Sequence, residues 1–349
     1  MARICINGTF LSEKRTGIYR FAEEIIKALD LQENKDEFVL VVPPKTEIPF
    51  KLKYIKVAEF GVKKGIIWEQ IFFALYLWIH QAIALNLCNV TPVLAPTGFS
   101  VIHDISYKVN PKYFNHFYGK LSRTWHCFQY WVISHFSRRI FTVSEFSKSE
   151  IMRVYHVSPE KITVTPNGWQ HMLSIKPSPH EILNRFNLQS KRYFMSLSTI
   201  APNKNLKWVL NAARNTPDTI FAIAGSLNPA RFGEDLNVEG LDNVKFLGYV
   251  SDGDFVTLAK NCKAFIFPSF YEGFGIPPLE AMSVGASVVI SNIPVLKEIF
   301  NNSAYYIDPY EKTGNLESLL TGDVSDSEDV LNRFSWDKSA GVMKKCFRI

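Results

Sequence analysis

The sequence predicts an α/β protein made of two doubly wound domains, each with a parallel sheet. Short apolar runs alternate with helical patterns along nearly all of the 349 residues, and the alternation pauses near residues 171–180 before it restarts. Apolar runs of this kind are typical of strands that helices cover on both faces. We expect a first domain over 1–172, a second over 173–332 and a C-terminal helix over 333–349 that could pack back on the first domain.

The individual elements follow from the same alternation. In the first domain, strands are predicted at 3–7, 38–43, 100–103, 139–143 and 161–166, and helices at 17–30 and 117–136. In the second domain, strands are predicted at 193–199, 219–225, 243–248, 264–268, 286–290 and 304–308, and helices at 206–214, 252–260, 277–285 and 294–300. The stretch 330–347 also has a helical pattern. Ligands of such sheets bind at the carboxyl ends of the strands, so we expect the two domains to face a central cleft.

The most membrane-like stretch lies at residues 65–88. Polar side chains interrupt it, and its longest unbroken apolar run covers only 71–79. A bilayer-spanning helix needs about 20 apolar residues. We therefore predict a buried or surface-lying helix here and no transmembrane segment.

Charge is uneven along the chain. Residues 1–170 carry 21 Lys and Arg against 14 Asp and Glu, whereas residues 171–349 carry 18 against 19. A basic first half favours an anionic partner, which could be nucleic acid, a phosphorylated substrate or an acidic membrane, although an ordinary solvated surface would look the same. No recognition motif accompanies the charge, so we do not expect nucleic-acid binding.

The five cysteines are scattered and form no Cys-x-x-Cys pair. This pattern argues against a disulfide framework and a zinc site, and it indicates a reducing compartment. No signal peptide is visible, since residues 3–7 have the pattern of a strand.

Two glutamates, Glu272 and Glu280, flank a loop that follows a predicted strand and enters a predicted helix. Gly273 and Gly275 let the backbone approach a ligand, and the free amides at the helix start attract a phosphate. The two carboxylates would lie on either side of a bound diphosphate and accept hydrogen bonds from sugar and ribose hydroxyls. The alternative is an ordinary strand–loop–helix connection with incidental acids.

The stretch PSFYEGFGIPPLEAMSVGASVVISN resembles the Glu-x7-Glu signature of retaining GT-B glycosyltransferases of family GT4, glycosyl transferases group 1. Other segments resemble the family in order and spacing: RTGIYRFAEEIIKAL, SVIHDISY, FTVSEFSKSEI, ITVTPNG, STIAPNKNL and VKFLGYVSD. The resemblance covers about residues 3–345. It implies a GT-B fold and transfer of a sugar from a nucleotide-diphosphate sugar with retention of configuration, in which the leaving phosphate helps to deprotonate the acceptor.

The resemblance also implies roles for single residues. Lys204 would stabilise the negative charge that the leaving diphosphate gains. Asn203 stands where many relatives have an arginine, so the phosphate site would be one charge poorer. Glu272 would hold hydroxyls of the donor sugar, and Glu280 would accept from the ribose.

Backbone and histidine contacts complete the expected site. The amides around Phe274, Gly275 and Ile276 would contact the diphosphate or the sugar, and Gly17 would bring its backbone against the phosphates from the first domain. His103 would face the transferred sugar near the reaction centre.

No metal or other cofactor is expected. The stretch Asp252–Gly253–Asp254 resembles the Asp-x-Asp of metal-dependent transferases, but Ser251 and Asp252 have the pattern of a helix N-terminus. Lys204 and the helix amides would already supply the positive charge that a metal would bring.

Acceptor binding would fall to the first domain, where residues 107–139 interleave cationic and aromatic side chains. With the apolar stretch near 66–87, this segment could lie against an anionic membrane and receive a glycan or lipid-diphosphate-linked acceptor. The alternative is an amphipathic helix of the core. The resemblance implies a cytoplasmic glycosyltransferase of surface polysaccharide biosynthesis, of the O-antigen or capsule type, which could be peripheral at the inner face of the cytoplasmic membrane. The alternatives are a nonenzymatic nucleotide-sugar-binding subunit, which Asn203 favours, and a nucleotide-sugar epimerase on the same fold.

Overall fold

The computed structural model describes residues 3–13, 16–32, 37–62, 64–197, 201–225, 238–311 and 316–347. The chain divides into two compact units, Met1–Gly168 with Ser335–Ile349 and Trp169–Phe334. The sequence-based boundaries were 172/173 and 332/333. Parts of four sequence expectations lie outside the described residues: the end of the strand at 193–199, the start of the lysine-containing segment at 198–206, Arg15 of the segment at 15–29, and residues 348–349 of the C-terminal helix at 333–349.

The first unit contains a parallel sheet whose described strands number seven, in the order β3-β2-β1-β4-β5-β6-β7. Its strands are β1 (Arg3–Asn7), β2 (Glu37–Val42), β3 (Lys56–Glu59), β4 (Ile83–Asn86), β5 (Phe99–Val101), β6 (Arg139–Thr142) and β7 (Ile162–Val164). Its helices are α1 (Gly17–Leu31), α2 (Gly65–Ile67), α3 (Ala74–Ile79), α4 (Ser106–Val109), α5 (Phe117–Phe136) and α6 (Glu145–Tyr155). A π-helical segment, Trp68–Phe73, joins α2 to α3, and 3-10 turns lie at Thr9–Ser12, Pro111–Phe114 and Pro159–Lys161.

The second unit has a parallel sheet with six described strands in the order β10-β9-β8-β11-β12-β13. Its strands are β8 (Tyr193–Leu197), β9 (Ile220–Ala224), β10 (Val244–Gly248), β11 (Ala264–Phe267), β12 (Val288–Ser291) and β13 (Tyr305–Ile307). Its helices are α7 (Glu181–Arg185), α8 (Leu206–Asn215), α9 (Asp252–Asn261), α10 (Ile276–Ser283), α11 (Pro294–Phe300), α12 (Leu316–Leu319) and α13 (Glu328–Leu331), with 3-10 turns at Gln170–Ser174 and Pro202–Lys204.

The last helix, α14 (Trp336–Cys346), packs within the first unit. The ring of Trp336 meets that of Phe21 in α1 edge-on at 5.9 Å between centroids. The hydroxyl of Ser339 donates a hydrogen bond to the carbonyl of Pro166 at 2.6 Å. Burial of one face of α14 against α1 therefore holds the C-terminal segment on the first sheet.

The apolar stretch at 65–88 corrects one sequence expectation. A single helix was predicted, but the helical segment ends at Ile79 and the chain then forms strand β4 inside the sheet. Gln81 has a φ of 48°, and the amide of Ala82 donates to the carbonyl of Leu77 at 2.9 Å, which stops the helix. Within the described residues, no helix is both long enough and apolar enough to cross a membrane.

Both sheets are wound in two directions from a central pair of strands. In the first sheet the direction reverses between β1 and β4, and in the second it reverses between β8 and β11. Ligands of open α/β sheets bind at such reversals, outside the carboxyl ends of the two central strands. The loops that follow β8 and β11 are therefore the first place to look for a site in the second unit.

Candidate active site

The lysine-bearing loop after β8 is tied to the loop after β11 by hydrogen bonds. Asn205 has a left-handed backbone, with a φ of 53°, and its side-chain amide donates to the carbonyls of Pro268 at 3.0 Å and Pro309 at 2.9 Å. The carbonyl of Asn203 accepts from the amide of Phe270 at 2.8 Å. These bonds fix the position of the Pro202–Lys204 turn relative to the loop that carries Glu272.

Lys204 and Glu272 form an ion pair at this point. Nζ of Lys204 donates to Oε1 of Glu272 at 2.7 Å and lies 5.0 Å from the centroid of the Phe267 ring. The side chains of Lys204 and Glu272 are 24% and 12% exposed, so water still reaches the ion pair. An ammonium group has three donors, which leaves capacity for an anion beside the carboxylate. The sequence placed both residues in one site but did not predict that they touch.

The side chain of Asn203 points its amide toward the same loop. Its Nδ2 donates to the carbonyl of Tyr271 at 3.4 Å. An arginine at this position would bring a charge beside Lys204, whereas the asparagine is neutral and donates to a backbone carbonyl of the loop. The site is thus one cation poorer than the arginine-containing pattern predicts.

Helix α10 begins directly after this loop. Gly275 has a φ of 107°, and a Cβ there would lie 2.7 Å from Cδ2 of Leu296, so only glycine fits this helix entry. Pro277 and Pro278 occupy the first turn, as predicted, where their missing N–H groups cost no helical bond. The first residue of the helix is Ile276, one residue earlier than expected. Its amide end carries the partial positive charge of the helix dipole.

The buried loop residues before α10 are held by packing. Gly273, Phe274 and Gly275 are all buried, and the Phe274 ring meets the Phe334 ring edge-on at 5.2 Å. This contact anchors the backbone whose amides were predicted to contact a diphosphate.

Glu280 lies in α10 and has a partner that the sequence did not reveal. Nε2 of His171 donates to Oε1 of Glu280 at 2.8 Å, and the side chains are 3% and 14% exposed. The turn that carries His171 is itself fixed, because Nε1 of Trp169 donates to the carbonyl of Leu331 at 2.9 Å and the side chain of Gln170 donates to that of Phe334 at 2.9 Å. No local spacing pattern reports a contact between residues so far apart in the chain.

Two predicted site residues belong to the first unit. Gly17 is the exposed first residue of α1, and the side chain of Thr16 caps this helix by accepting from the amide of Tyr19. His103 follows β5 and is buried, at 6% exposure. Its backbone amide donates to Oδ1 of Asn89 at 2.7 Å.

The protonation of the His103 ring follows from its contacts. Nε2 lies 2.9 Å from the carbonyl oxygen of Leu87, which can only accept, so Nε2 carries the proton and Nδ1 is an acceptor. Burial lowers the pKa of His103 to about 4, so the ring is neutral near pH 7. A neutral imidazole can accept a hydrogen bond from a hydroxyl through Nδ1 but adds no positive charge.

The Asp-x-Asp stretch is built as a helix cap. Ser251 and Asp254 form a capping box at the start of α9, with Ser251 Oγ donating to Asp254 Oδ2 at 2.8 Å and accepting from the Asp254 amide at 3.1 Å. Among the described residues, no three His, Cys, Asp or Glu side chains converge on one point. That the chain works without a metal stays a prediction.

The second unit contains the part of the chain that matches a known family model. Residues 181–322 match the family model of glycosyl transferases group 1, and this match includes Lys204, Glu272 and Glu280. The chain is 35% identical over 184 residues to an O-antigen chain mannosyltransferase B of Escherichia coli, across 50% of this chain and 48% of that protein. The chain thus spans about half the length of this relative.

Two further matches cover more of the chain. An N,N'-diacetylbacillosaminyl-diphospho-undecaprenol alpha-1,3-N-acetylgalactosaminyltransferase of Campylobacter jejuni is 25% identical over 336 residues, across 89% of this chain and 86% of that protein. The crystal structure of HepE from Anabaena, in complex with UDP and glucose, superposes with a TM-score of 0.73 at 16% identity and covers 100% of both chains. The predicted fold class is confirmed, because both units have the fold of the GT-B glycosyltransferases. The predicted family is supported over residues 181–322 of the second unit, which match glycosyl transferases group 1.

Proposed function

We propose that the chain is a retaining glycosyltransferase, which moves a sugar from a nucleotide-diphosphate sugar to a glycan or lipid-linked acceptor in surface polysaccharide biosynthesis. The contact between Lys204 and Glu272, which follow the two strands that flank the reversal of the second sheet, carries this proposal. A cation beside a sugar-binding carboxylate and next to a helix N-terminus suits a donor in which a diphosphate adjoins a sugar. The likeness to an O-antigen mannosyltransferase supports the substrate class.

The reaction exchanges one bond to the anomeric carbon for another. The bond from this carbon to the diphosphate oxygen breaks, and a bond to the acceptor oxygen forms on the same face of the sugar. The acceptor proton passes to the leaving phosphate, so charges and atoms balance without an oxidant or reductant. The departing diphosphate gains negative charge, which Lys204 and the amides at the start of α10 would stabilise.

The remaining residues would position the donor. Glu272 would accept from hydroxyls of the sugar, and Glu280, held by His171, would accept from the ribose. Gly17 would bring its backbone to the phosphates, and the neutral ring of His103 would accept from a sugar hydroxyl through Nδ1.

The proposal extends to where the protein works. We expect contact with the inner face of an anionic membrane from the cytoplasm, because the first unit is the basic part of the chain. The Campylobacter jejuni relative is named for an acceptor attached to diphospho-undecaprenol, which supports an acceptor of the lipid-diphosphate class.

A donor panel tests the activity. The purified chain is incubated with UDP-, GDP- and dTDP-sugars and a lipid-linked acceptor extract, and nucleoside diphosphate release is measured. Nucleotide-activated mannose comes first, because the E. coli relative is a mannosyltransferase. We expect release from one donor in the wild type and in Glu328→Gln, an exposed control in α13, and a strong loss in Glu280→Gln.

The same panel separates a nonenzymatic binding subunit, which Asn203 favours as the weaker phosphate site. Donor binding without release in the presence of acceptor would support that alternative. Neither release nor a thermal shift with any donor would contradict the proposed function.

A further inference from the structure

Helix α5 exposes apolar side chains along one side while it buries others. Phe117, Leu121, Phe128 and Trp131 are 77%, 63%, 42% and 44% exposed, and their spacing of 4, 7 and 3 residues puts them on one helix face. On the opposite side, Tyr130 and other apolar residues are fully buried in the core of the first unit. A helix that is apolar on its outer face as well needs a second apolar environment.

The helical segment at 65–79 repeats this arrangement. Ile67, Ile71, Leu75 and Trp78 are 48%, 53%, 40% and 56% exposed and recur at intervals of three or four residues. Trp68, Phe73 and Leu77 lie beneath them in the core. The sequence left open whether these segments were core helices or surface helices, and the structure shows that each is apolar on both sides.

The two helical segments are neighbours on one face of the first sheet. Nε2 of Gln70 donates to the carbonyl of Thr91 at 3.0 Å, and the amide of Thr91 donates to Oε1 of Gln129 in α5 at 2.8 Å. One residue thus bridges both segments, and right-handed crossovers put them on the same side of the sheet. We name their joint outer surface the apolar face and define it by Ile67, Ile71, Leu75, Trp78, Phe117, Leu121, Phe128 and Trp131.

The chain around the apolar face is cationic. Residues 105–144 contain no Asp or Glu, and residues 70–103 contain none either. Lys108, Lys112, Lys120 and Arg138 are exposed along this stretch. A surface of Phe, Trp and Leu beside exposed Lys and Arg, on two stretches of chain that contain no Asp or Glu, matches the interface of a bilayer with anionic head groups.

We propose that the apolar face docks on the surface of an anionic bilayer, with the side chains of α5 and of segment 65–79 in the head-group region and the cations facing lipid phosphates. No described helix can cross a membrane, so the helices would lie on the bilayer. This inference deepens the proposed function, because a lipid-linked acceptor would be met at the same surface.

Vesicle flotation tests the inference with the full chain. Wild-type protein is mixed with phosphatidylcholine vesicles, with or without phosphatidylglycerol, at low and high salt. We expect flotation with the anionic vesicles, less flotation with the neutral ones, and weakening by salt.

Matched variants identify the surface. Leu121→Ser removes an apolar side chain that is 63% exposed on the apolar face, and Leu31→Ser removes one that is 70% exposed at the end of α1. Loss of one inserted leucine lowers the partition coefficient by about tenfold, so we expect this drop for Leu121→Ser and none for Leu31→Ser. A Phe128→Ser/Trp131→Ser double variant should lower it further.

Three outcomes would overturn the inference. The wild type does not float with any vesicles, it floats equally with neutral and anionic vesicles, or Leu121→Ser and Leu31→Ser reduce flotation equally. Concentration-dependent self-association that Leu121→Ser abolishes, without flotation, would identify a protein interface instead. Donor-induced thermal shifts are measured on the same variants. Intact shifts with failed flotation would refute only the docking face, whereas absent shifts in the wild type would refute the proposed function.

Discussion

The ion pair between Lys204 and Glu272 gives the sharpest quantitative prediction. Lys204→Met removes the charge but keeps a long side chain. The Phe267 ring, whose centroid lies 5.0 Å from Nζ of Lys204 in the wild type, therefore retains an apolar neighbour. The variant then leaves Glu272, at 12% exposure, without the ammonium that lies 2.7 Å away in the wild type. The donor diphosphate would meet an uncompensated carboxylate where it had met a cation.

The magnitude follows from two terms. Loss of one preorganised donor to a charge that develops in the transition state costs about 3 kcal/mol, or about a hundredfold in kcat. A bare carboxylate near a phosphate adds repulsion, and a charge pair at about 4 Å interacts by up to about 4 kcal/mol at an effective dielectric of 20, less where water screens it. Lys204 is 24% exposed, so we expect only a fraction of this second term.

A double-mutant cycle separates the terms. Lys204→Met/Glu272→Gln removes the repulsion, so donor binding by calorimetry should be tighter in the double variant than in Lys204→Met alone. Lys260→Met is the control, because Lys260 is an exposed cation in the last turn of α9. Equal donor affinity in Lys204→Met and the wild type, or strictly additive losses, would refute the role given to this pair.

Three further predictions concern the supports of the site and the buried charge of the first unit. His171→Ala should raise the donor KM about tenfold, because Glu280 loses the hydrogen bond that holds it. His171→Gln can still donate a hydrogen bond to Glu280, so its donor KM should return most of the way to the wild-type value. A lower kcat with an unchanged KM would contradict this role of His171. Gly275→Ala should lower Tm and weaken donor binding. A left-handed backbone costs about 1–2 kcal/mol for a residue with a Cβ, and the new atom would also lie 2.7 Å from Leu296. Gly285→Ala is the control for backbone strain without a steric clash, because Gly285 has a φ of 88° and open space around it. Burial raises the pKa of Glu69 from 4.5 to about 7. Between these two pH values the folded chain binds more protons than the unfolded chain, so it loses about 3 kcal/mol of stability as the pH rises from 4.5 through 7. The Tm difference between Glu69→Gln and the wild type should therefore grow from pH 4.5 to pH 8, and a constant difference would contradict the raised pKa of Glu69.

Much of the fold follows from the local pattern, and the two strands it missed show its limits. Strand β3, Lys56–Glu59, lies at a sheet edge with mostly exposed side chains, so it has no apolar run. Strand β4 continues the apolar composition of the preceding helix, and only the left-handed backbone at Gln81 separates them. A continuous apolar run carries no periodicity that would distinguish helix from strand.

The contacts of the candidate site show a different limit. The sequence identified Lys204, Glu272 and Glu280 by their motifs, but their partners depend on strand order. Lys204 meets Glu272 because β8 lies beside β11, although β9 and β10 intervene along the chain. His171 has no motif of its own and is recognised only by its contact with Glu280. The roles of these residues in donor binding stay predictions.

A crystal structure of the chain with a nucleoside diphosphate would show directly whether the candidate site binds the donor. We expect density for the diphosphate at the start of α10, within hydrogen-bond distance of Lys204 Nζ, and for the ribose beside Glu280, with the His171 contact retained. A diphosphate bound away from the carboxyl ends of β8 and β11, with the Lys204–Glu272 pair unchanged, would contradict it.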